Sequence, residues 1–172
     1  MTQNSTPTLE ILAEARLEKW IEANLAVRGD EEVRRLSRFW DEAQSGKRVI
    51  LSAWQGDIFC GHVTLLWQSN YPPFQRLKFP EIVDLWVAGD FQQQGIAKML
   101  MTEIERLAIA RDAPGIGLGV GVTGRFGPAQ RLYSKFGYHP DGTGLWVSGR
   151  NISNDAAVHL DEAAMLMLAK RF

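Results

Sequence analysis

The sequence predicts an α/β fold in which a mixed, twisted sheet of about seven strands is flanked by about four helices. Runs typical of strands, such as "RVILSAW" and "IFCGHVTLLW", alternate with segments whose apolar residues recur at helical spacing. A strand, "EIVDLWV", is followed by a glycine loop and a long amphipathic helix. The chain has 172 residues, 45% of them hydrophobic and 23% charged, which is typical of one globular domain. We therefore expect a single domain over residues 1–172.

The first third of the chain predicts a strand, two helices and a hairpin. "TLEIL" (8–12) is a short strand, and the first helix ends at Arg28-Gly29. We expect Asp30 to cap the second helix, which Ser45-Gly46 closes. The turn "QGD" then joins the two strands of the hairpin. The helical stripes are Leu17, Trp20, Ile21, Asn24 and Leu25 in the first helix, and Val33, Leu36 and Trp40 in the second.

The segment "QSNYPPFQRLKFP" (68–80) predicts a long loop, because its tandem prolines prevent regular strand pairing. Tyr71 and Phe74 of this loop, with Trp86, are candidates to line a pocket for an acceptor. Strand 81–87 follows, with a carboxylate, Asp84, inside it. Alternation places Val83, Leu85 and Val87 on one face, and Ile82, Asp84 and Trp86 on the other.

The rest of the chain predicts two more helices and three strands. A helix runs from Ile96 to about Arg111, and another has proline in its first turn and ends at Gly137. Between them, "IGLGVGV" (116–122) is a strand with a face made only of glycine, which permits a very close neighbour. "HPDGTG" is a turn cluster, and "LWVS" and "AAMLMLAK" are strands. The expected buried residues are Leu100, Ile104, Leu107 and Ala108 in the first helix, and Ala129, Leu132, Tyr133 and Phe136 in the second.

Charge and composition exclude several classes of function. The formal net charge of −1 gives no basic surface for nucleic acid or anionic lipid. A signal peptide and an apolar run of membrane-spanning length are both lacking, so we expect a cytoplasmic protein. The single cysteine, Cys60, and the three histidines His62, His139 and His159 have no metal-ligand spacing, so we expect no metal.

Gly119, Gly121 and Gly124 spell the G-x-G-x-x-G pattern of dinucleotide-binding folds. The acidic residue at the right distance, Asp141, lies in a Pro-Asp-Gly turn and not at the end of a strand. Too little chain follows for the remaining βαβ units. We therefore do not assign a nicotinamide site to this pattern.

The stretch "DFQQQGIAKML" (90–100) predicts an anion site. A loop of the form Gln-x-x-Gly-x-Ala between a strand and a helix leaves backbone N–H groups unpaired at the positive end of the helix dipole. Gly95 lets an anion approach the main chain, and the small Ala97 keeps the first turn uncrowded. The alternative is a helix entry with a solvent-facing glycine, and the six residues alone favour this alternative, so the anion site depends on the context.

Two motifs make the chain similar to the GNAT superfamily of N-acetyltransferases. "QQQGIA" (92–97) fits the superfamily's phosphate loop, Arg or Gln-x-x-Gly-x-Gly or Ala. "AQRLYSKFGY" (129–138) resembles its second signature, Ala-x-x-Leu-Tyr-x-x-x-Gly-Phe, with Tyr138 in place of phenylalanine. "PEIVDLWV" is similar to the fourth strand, and Phe126 replaces an asparagine that is often found before the second signature. The resemblance implies a GNAT-like sheet and acetyl-CoA as co-substrate.

By this resemblance the pyrophosphate of acetyl-CoA binds the amides from Gln93 to Lys98, and the pantetheine runs beside residues 85–87. A backbone N–H near Leu85 is then placed to stabilise the oxyanion, and the glycine face gives the pantetheine room. The expected cofactor-binding residues are Leu85, Trp86, Val87, Gln92, Gln93, Gln94, Gly95, Ile96, Ala97, Lys98 and Tyr133.

Direct transfer to an amine needs a base and an acid. Tyr133 matches the tyrosine of the family that protonates the thiolate, and its alternative role is that of a core tyrosine. Glu81 matches a catalytic glutamate, with Asp84 as the rival base, and either acts directly or through a water. The alternative for both carboxylates is an ion pair with Arg76, Lys78 or another cation.

Three functions remain open at this point. The first is an enzyme that transfers acetyl from acetyl-CoA to a primary amine of a small molecule or peptide. The second is a non-catalytic acyl-CoA-binding or sensing module, and the third is an interaction domain without a cofactor. We expect a monomer or homodimer without nucleic-acid or membrane partners, and the acceptor is not specified by the sequence.

Overall fold

The computed structural model describes residues 6–152, 157 and 164–172. The chain forms two compact units, Met1–Trp67 with Val83–Leu107 and Gln68–Ile82 with Ala108–Phe172. The prediction of a single domain over residues 1–172 stays a prediction. The described residues form eight strands and five helices, close to the expected mixed sheet with flanking helices. In this part of the chain, no helix combines the length and the apolar character needed to cross a membrane.

The helices and strands follow the predicted order, with one additional helix and one additional strand. The strands are β1 (Thr8–Ile11), β2 (Arg48–Gln55), β3 (Ile58–Leu66), β4 (Glu81–Val87), β5 (Gly115–Gly121), β6 (His139–Val147), β7 (Arg150–Asn151) and β8 (Ala164–Arg171). The helices are α1 (Glu14–Arg28), α2 (Val33–Gln44), α3 (Pro72–Leu77), α4 (Ile96–Ile109) and α5 (Gly127–Lys135).

In the first unit the strand order is β1-β2-β3-β4. β2 and β3 form the predicted antiparallel hairpin, with Arg48 opposite Leu66 and Gln55 opposite Ile58. Helix α1 ends as expected at Gly29, whose φ of 88° is accessible to glycine and whose N–H donates to the carbonyl of Leu25 across 2.9 Å. The core of this unit consists of Leu12, Trp20, Leu36, Phe39, Ile50, Trp54 and Phe59.

The predicted start of α2 is wrong. Asp30 begins a 3₁₀ turn, Asp30–Glu32, and no side chain caps the helix that follows at Val33. Leu36 and Phe39 are buried in α2 and Trp40 packs against the same core, while Val33, at the start of the helix, is 42% exposed.

In the second unit the strand order is β4-β5-β8-β6-β7, with Glu81 and Ile82 of β4 parallel to Gly117 and Leu118 of β5. β5 pairs antiparallel with β8, and β8 with β6. β6 contains the predicted turn cluster as an irregularity between Pro140 and Leu145.

The glycine face of β5 has close neighbours, as predicted, and at Gly115, Gly117 and Gly121 they are aromatic rings. A Cβ built on Gly117 would lie 2.1 Å from the ring of Phe74, and one on Gly121 would lie 2.2 Å from Phe126. A Cβ built on Gly115 would lie 2.4 Å from the ring of Phe79. The room that we expected this face to give to the pantetheine is therefore filled by side chains of the same unit.

The predicted loop 68–80 contains helix α3. Its two prolines occupy the first turn, where the missing N–H costs nothing, and Lys78 ends the helix with a φ of 55°. Tyr71 and Phe74 are buried in a core cluster with Phe79 and Met167. They stabilise the second unit, and Phe74 is fully buried, so it does not line an open acceptor pocket.

Candidate active site

Strand β4 carries an irregularity at Asp84. The backbone φ of Asp84 is 57°, which lies in the left-handed region and not in the extended region of a strand. The prediction of simple alternation along 81–87 therefore fails at this residue. Aspartate tolerates the left-handed conformation better than most residues, but a side chain there still needs support from its surroundings.

The carboxylate of Asp84 receives that support first from β3. The Nε2 atom of His62 lies 3.0 Å from Oδ2 of Asp84, and Nε1 of Trp20 lies 2.9 Å from Nδ1 of the same imidazole. The indole nitrogen only donates, so Nδ1 accepts, and the neutral imidazole donates its Nε2–H to Asp84. Burial lowers the pKa of His62, and the charges of Arg28 and Arg35 lower it further against the opposing effect of Asp84.

Two arginines hold the other side of the same carboxylate. Nη1 of Arg28, at the end of α1, lies 3.0 and 3.1 Å from the two carboxylate oxygens, and Nη1 of Arg35 in α2 lies 3.0 Å from Oδ2. Burial by itself would raise the pKa of Asp84, but His62 and the two arginines outweigh it and hold the pKa well below its ordinary value. The expected ion pair is therefore present, with Arg28 and Arg35 and not with Arg76 or Lys78. Its low proton affinity makes Asp84 a weak base.

Strand β3 adapts to the irregularity on both sides of Asp84. The hydroxyl of Thr64 donates to the carbonyl oxygen of Val83 across 2.8 Å. Beyond Asp84, a Cβ on Gly61 would lie only 2.6 Å from the carbonyl oxygen of Trp86, so that only glycine permits this approach. The N–H of Ala88 then donates to the carbonyl of Cys60 across 2.9 Å.

The predicted phosphate loop has the geometry of an anion site. Gln93 and Gly95 have φ values of 61° and 85°, and a Cβ on Gly95 would meet nothing within 4 Å. Helix α4 begins at Ile96, and its first backbone hydrogen bond runs from the N–H of Met99 to the carbonyl of Gly95. The hydrogen bonds of the described residues include no acceptor for the N–H groups of residues 93–98.

Side chains of the loop hold its shape. Nε2 of Gln92 donates to the carbonyl of Val87 across 3.1 Å, and Nε2 of Gln94 donates to the carbonyl of Asp90 across 2.8 Å. The first bond ties the loop to the end of β4. The structure thus brings together, in one unit, Asp84, the strand residues 85–87 and the loop 92–98.

Glu81 and Tyr133 belong to the second unit. Oε2 of Glu81 accepts a hydrogen bond from Oγ of Ser69 across 2.6 Å. Tyr133 is the only residue of α5 that is buried, with its ring centroid 6.2 Å from that of Tyr138. The partners Ser69, His62, Arg28 and Arg35 were not identified from the sequence. The polar residue Asn24 within the apolar stripe of α1 could have indicated a polar site beside this helix. Trp20, Asn24 and Arg28 share one face of the helix at i, i+4 and i+8.

Residues 10–138 match the profile of the acetyltransferase (GNAT) family. The chain belongs to this family. The matched region includes β4, the phosphate loop and the whole second signature motif. As a member of this family, the protein is an acyltransferase.

Phe126, which replaces the asparagine often found before the second signature, packs against Gly121. A search of curated proteins found no match.

Solved acetyltransferase structures share the fold over almost the whole chain. An N-acetyltransferase from Staphylococcus aureus Mu50 is 13% identical with a TM-score of 0.70, covering 97% of this chain and 99% of the other. The PaiA N-acetyltransferase of Thermoplasma acidophilum in complex with coenzyme A is 15% identical with a TM-score of 0.65, covering 98% and 100%. A GNAT acetyltransferase from Elizabethkingia anophelis with acetyl-CoA bound is 15% identical with a TM-score of 0.67, covering 98% and 100%.

The described residues contain no group of three or more His, Cys, Asp and Glu side chains that could hold a metal ion. His62 uses both ring nitrogens for hydrogen bonds to Trp20 and Asp84. His159 lies outside the described residues.

Proposed function

We propose that this GNAT protein uses acetyl-CoA as co-substrate and transfers the acetyl group directly to a primary amine of a small molecule or peptide. The observation that carries the proposal is the loop 92–98, in which two residues with positive φ precede α4 and the amides of residues 93–98 have no acceptor among the described residues. Such amides at a helix N-terminus bind phosphate oxygens, and the space beside Gly95 admits them.

The chain's own residues supply the remaining parts of a CoA site. The amides from Gln93 to Lys98 are assigned to the pyrophosphate, and the backbone of residues 85–87 to the amide groups of the pantetheine arm. Acetyl-CoA supplies an activated acetyl group as a thioester. The N–H of Leu85 is the proposed donor to the thioester oxygen, where negative charge develops as the amine attacks.

Glu81 is the proposed general base and Tyr133 the proposed acid. An alkylammonium has a pKa near 10, so a base must remove its proton before the nitrogen attacks. Glu81 takes this role, directly or through a water. Asp84 is not assigned to it, because its carboxylate is held charged in ion pairs with two arginines. The Tyr133 phenol would protonate the departing thiolate.

The similar structures support the choice of acetyl-CoA as co-substrate. Two of the three structures described above were solved with coenzyme A or acetyl-CoA. We carry that co-substrate to the present chain because the loop residues fit it. The choice of a primary amine rests on the resemblance to N-acetyltransferases. The monomeric or homodimeric state stays a prediction.

Two measurements on the purified protein test the proposal. Calorimetry with CoA tests the site, and release of free thiol from acetyl-CoA with a panel of amines tests transfer. We expect CoA binding and amine-dependent thiol release. Binding without turnover for any amine class would favour the non-catalytic acyl-CoA module, and failure to bind CoA would contradict the proposal altogether.

A further inference from the structure

We propose that Asp84 is a positioning residue, whose carboxylate holds β4 in the left-handed conformation at residue 84 and thereby fixes the direction of the Leu85 N–H. This inference rests on the proposed function for its effect on catalysis. We call His62, Arg28 and Arg35 around the Asp84 carboxylate the Asp84 clamp. These three residues together hold the carboxylate in place.

The first step of the argument is the residue type. Glycine adopts positive φ without strain, yet the strand has aspartate there with a φ of 57°. A side chain in this conformation persists only when surrounding contacts determine it. The contacts are present, because the Asp84 side chain is only 12% exposed, is hydrogen-bonded to Arg28 and His62, and forms an ion pair with Arg35.

The second step is that the clamp comes from three separate elements of one unit. His62 is in β3, Arg28 is the last residue of α1, and Arg35 is in the first turns of α2. Arg28 is itself placed over the ring of Trp86, with its guanidinium carbon 5.2 Å from the ring centroid. Arg35 also forms an ion pair with Glu32. A carboxylate gripped from three directions cannot rotate without breaking ion pairs.

The third step is that contacts on both sides of Asp84 fit the irregular backbone at this residue. Thr64 satisfies the carbonyl of Val83 just before it, and Gly61 leaves room for the carbonyl of Trp86 just after it. A positive φ at residue 84 rotates the next peptide out of the regular strand alternation. The direction of the Leu85 N–H, the proposed oxyanion donor, is therefore set at Asp84.

The test compares Asp84→Gly with Asp84→Ala. Both variants lack the carboxylate, but only glycine adopts positive φ without strain. We expect Asp84→Ala to lower kcat/KM about 10²-fold, because a displaced oxyanion donor costs that much, and Asp84→Gly to recover at least about tenfold of the loss. Equal losses, with the acidic limb of the pH profile gone from both, would show that Asp84 is the base and overturn the inference. Unchanged kcat/KM in both variants would overturn it as well.

A second variant covers the possibility that Asp84→Ala does not fold. Arg35→Gln removes one arm of the clamp at a partly exposed position and leaves Asp84 in place. Its matched control is Arg38→Gln on the same helix, where the side chain is 64% exposed and pairs with Glu42. We expect a loss of kcat at unchanged KM for acetyl-CoA in Arg35→Gln and no loss in the control. Wild-type kcat in Arg35→Gln would contradict the clamp.

A readout that needs no activity separates this inference from the proposed function. Crystal structures of Asp84→Gly and Asp84→Ala give φ at residue 84 directly. We expect positive φ in the glycine variant and negative φ, with a rotated Leu85 N–H, in the alanine variant. An alanine variant that keeps φ near the wild-type value would overturn the clamp even if CoA binds. A wild type that binds no CoA would overturn only the proposed function.

Discussion

His62 donates its Nε2–H to Asp84 across 3.0 Å while its Nδ1 accepts from Trp20, so that one buried imidazole links helix α1 to strand β4 in a single neutral tautomer. Protonation of Nδ1 would place a hydrogen against the Trp20 N–H. The geometry and the burial therefore act in the same direction on this histidine, and both favour the neutral form.

The first prediction follows from the lowered pKa of His62. Below the unfolded pKa near 6.5, the unfolded chain binds a proton at this residue and the native chain does not, so stability falls as pH falls. The slope is at most about 1.4 kcal/mol per pH unit. We expect urea denaturation between pH 7 and 5 to show this slope in the wild type and in His139→Gln, whose histidine is exposed, but not in His62→Gln. The lowered pKa of Asp84 acts only at lower pH, below its unfolded value of 3.8.

The second prediction is that Gly95→Val abolishes CoA binding in a folded protein. A β-branched side chain would fill the space beside the loop, and the φ of 85° at Gly95 is strained for valine. Gly46→Val is the matched control, because Gly46 has a φ of 72° and equally open surroundings in the turn before β2. Calorimetry with CoA measures both. Undiminished affinity in folded Gly95→Val would remove the phosphate loop from the proposed site.

The third prediction concerns Tyr133→Phe, which keeps the packing of the ring and removes the phenol. We expect kcat to fall by about 10²- to 10⁴-fold, the range of general acids, with little change in acetyl-CoA affinity. Tyr138→Phe is the control, since its ring lies next to that of Tyr133 and has no proposed role. Turnover at the wild-type level, in an assay limited by chemistry, would make Tyr133 a core residue.

The fourth prediction separates the two carboxylates of β4. If Glu81 takes the proton of the amine, Glu81→Gln removes or shifts the acidic limb of kcat/KM and leaves CoA binding unchanged. We expect Asp84→Asn to keep the limb. In the wild type, ion pairs hold the Asp84 carboxylate charged, so the limb does not come from this residue. Both variants are measured against pH with one working acceptor. Loss of the limb in Asp84→Asn alone would move the base to that residue.

The fifth prediction tests the glycine face of β5. Gly117→Ala places a Cβ 2.1 Å from the ring of Phe74, so the ring or the strand must move, and we expect a loss of about 1–3 kcal/mol in the free energy of unfolding. The nearest atoms to a Cβ at Gly119 are two methionine sulfurs at 3.2 Å, on flexible side chains that shift easily. Denaturant unfolding of the two variants should show a clearly larger loss at Gly117, and equal losses would contradict the packing explanation.

Periodicity in the sequence predicted β1, α1, the β2–β3 hairpin, β4, α4 and β8, because each depends on the spacing of its own apolar residues. The prediction failed where the local backbone departed from the expected element. A 3₁₀ turn at Asp30 precedes α2 where a cap was expected, and two prolines begin helix α3 where a loop was expected. These choices depend on a few dihedral angles that composition specifies weakly.

The sequence by itself determined the family and the candidate phosphate site, because "QQQGIA" builds that site from consecutive backbone amides and one glycine. Only the tertiary structure decided the environment of Asp84. Its partners Arg28, Arg35 and His62 lie between 22 and 56 residues away along the chain, and Ser69 reaches Glu81 from the segment before β4. A carboxylate's proton affinity depends on the charges and donors that folding places around it, and no spacing in the sequence encodes which of nineteen basic residues those will be.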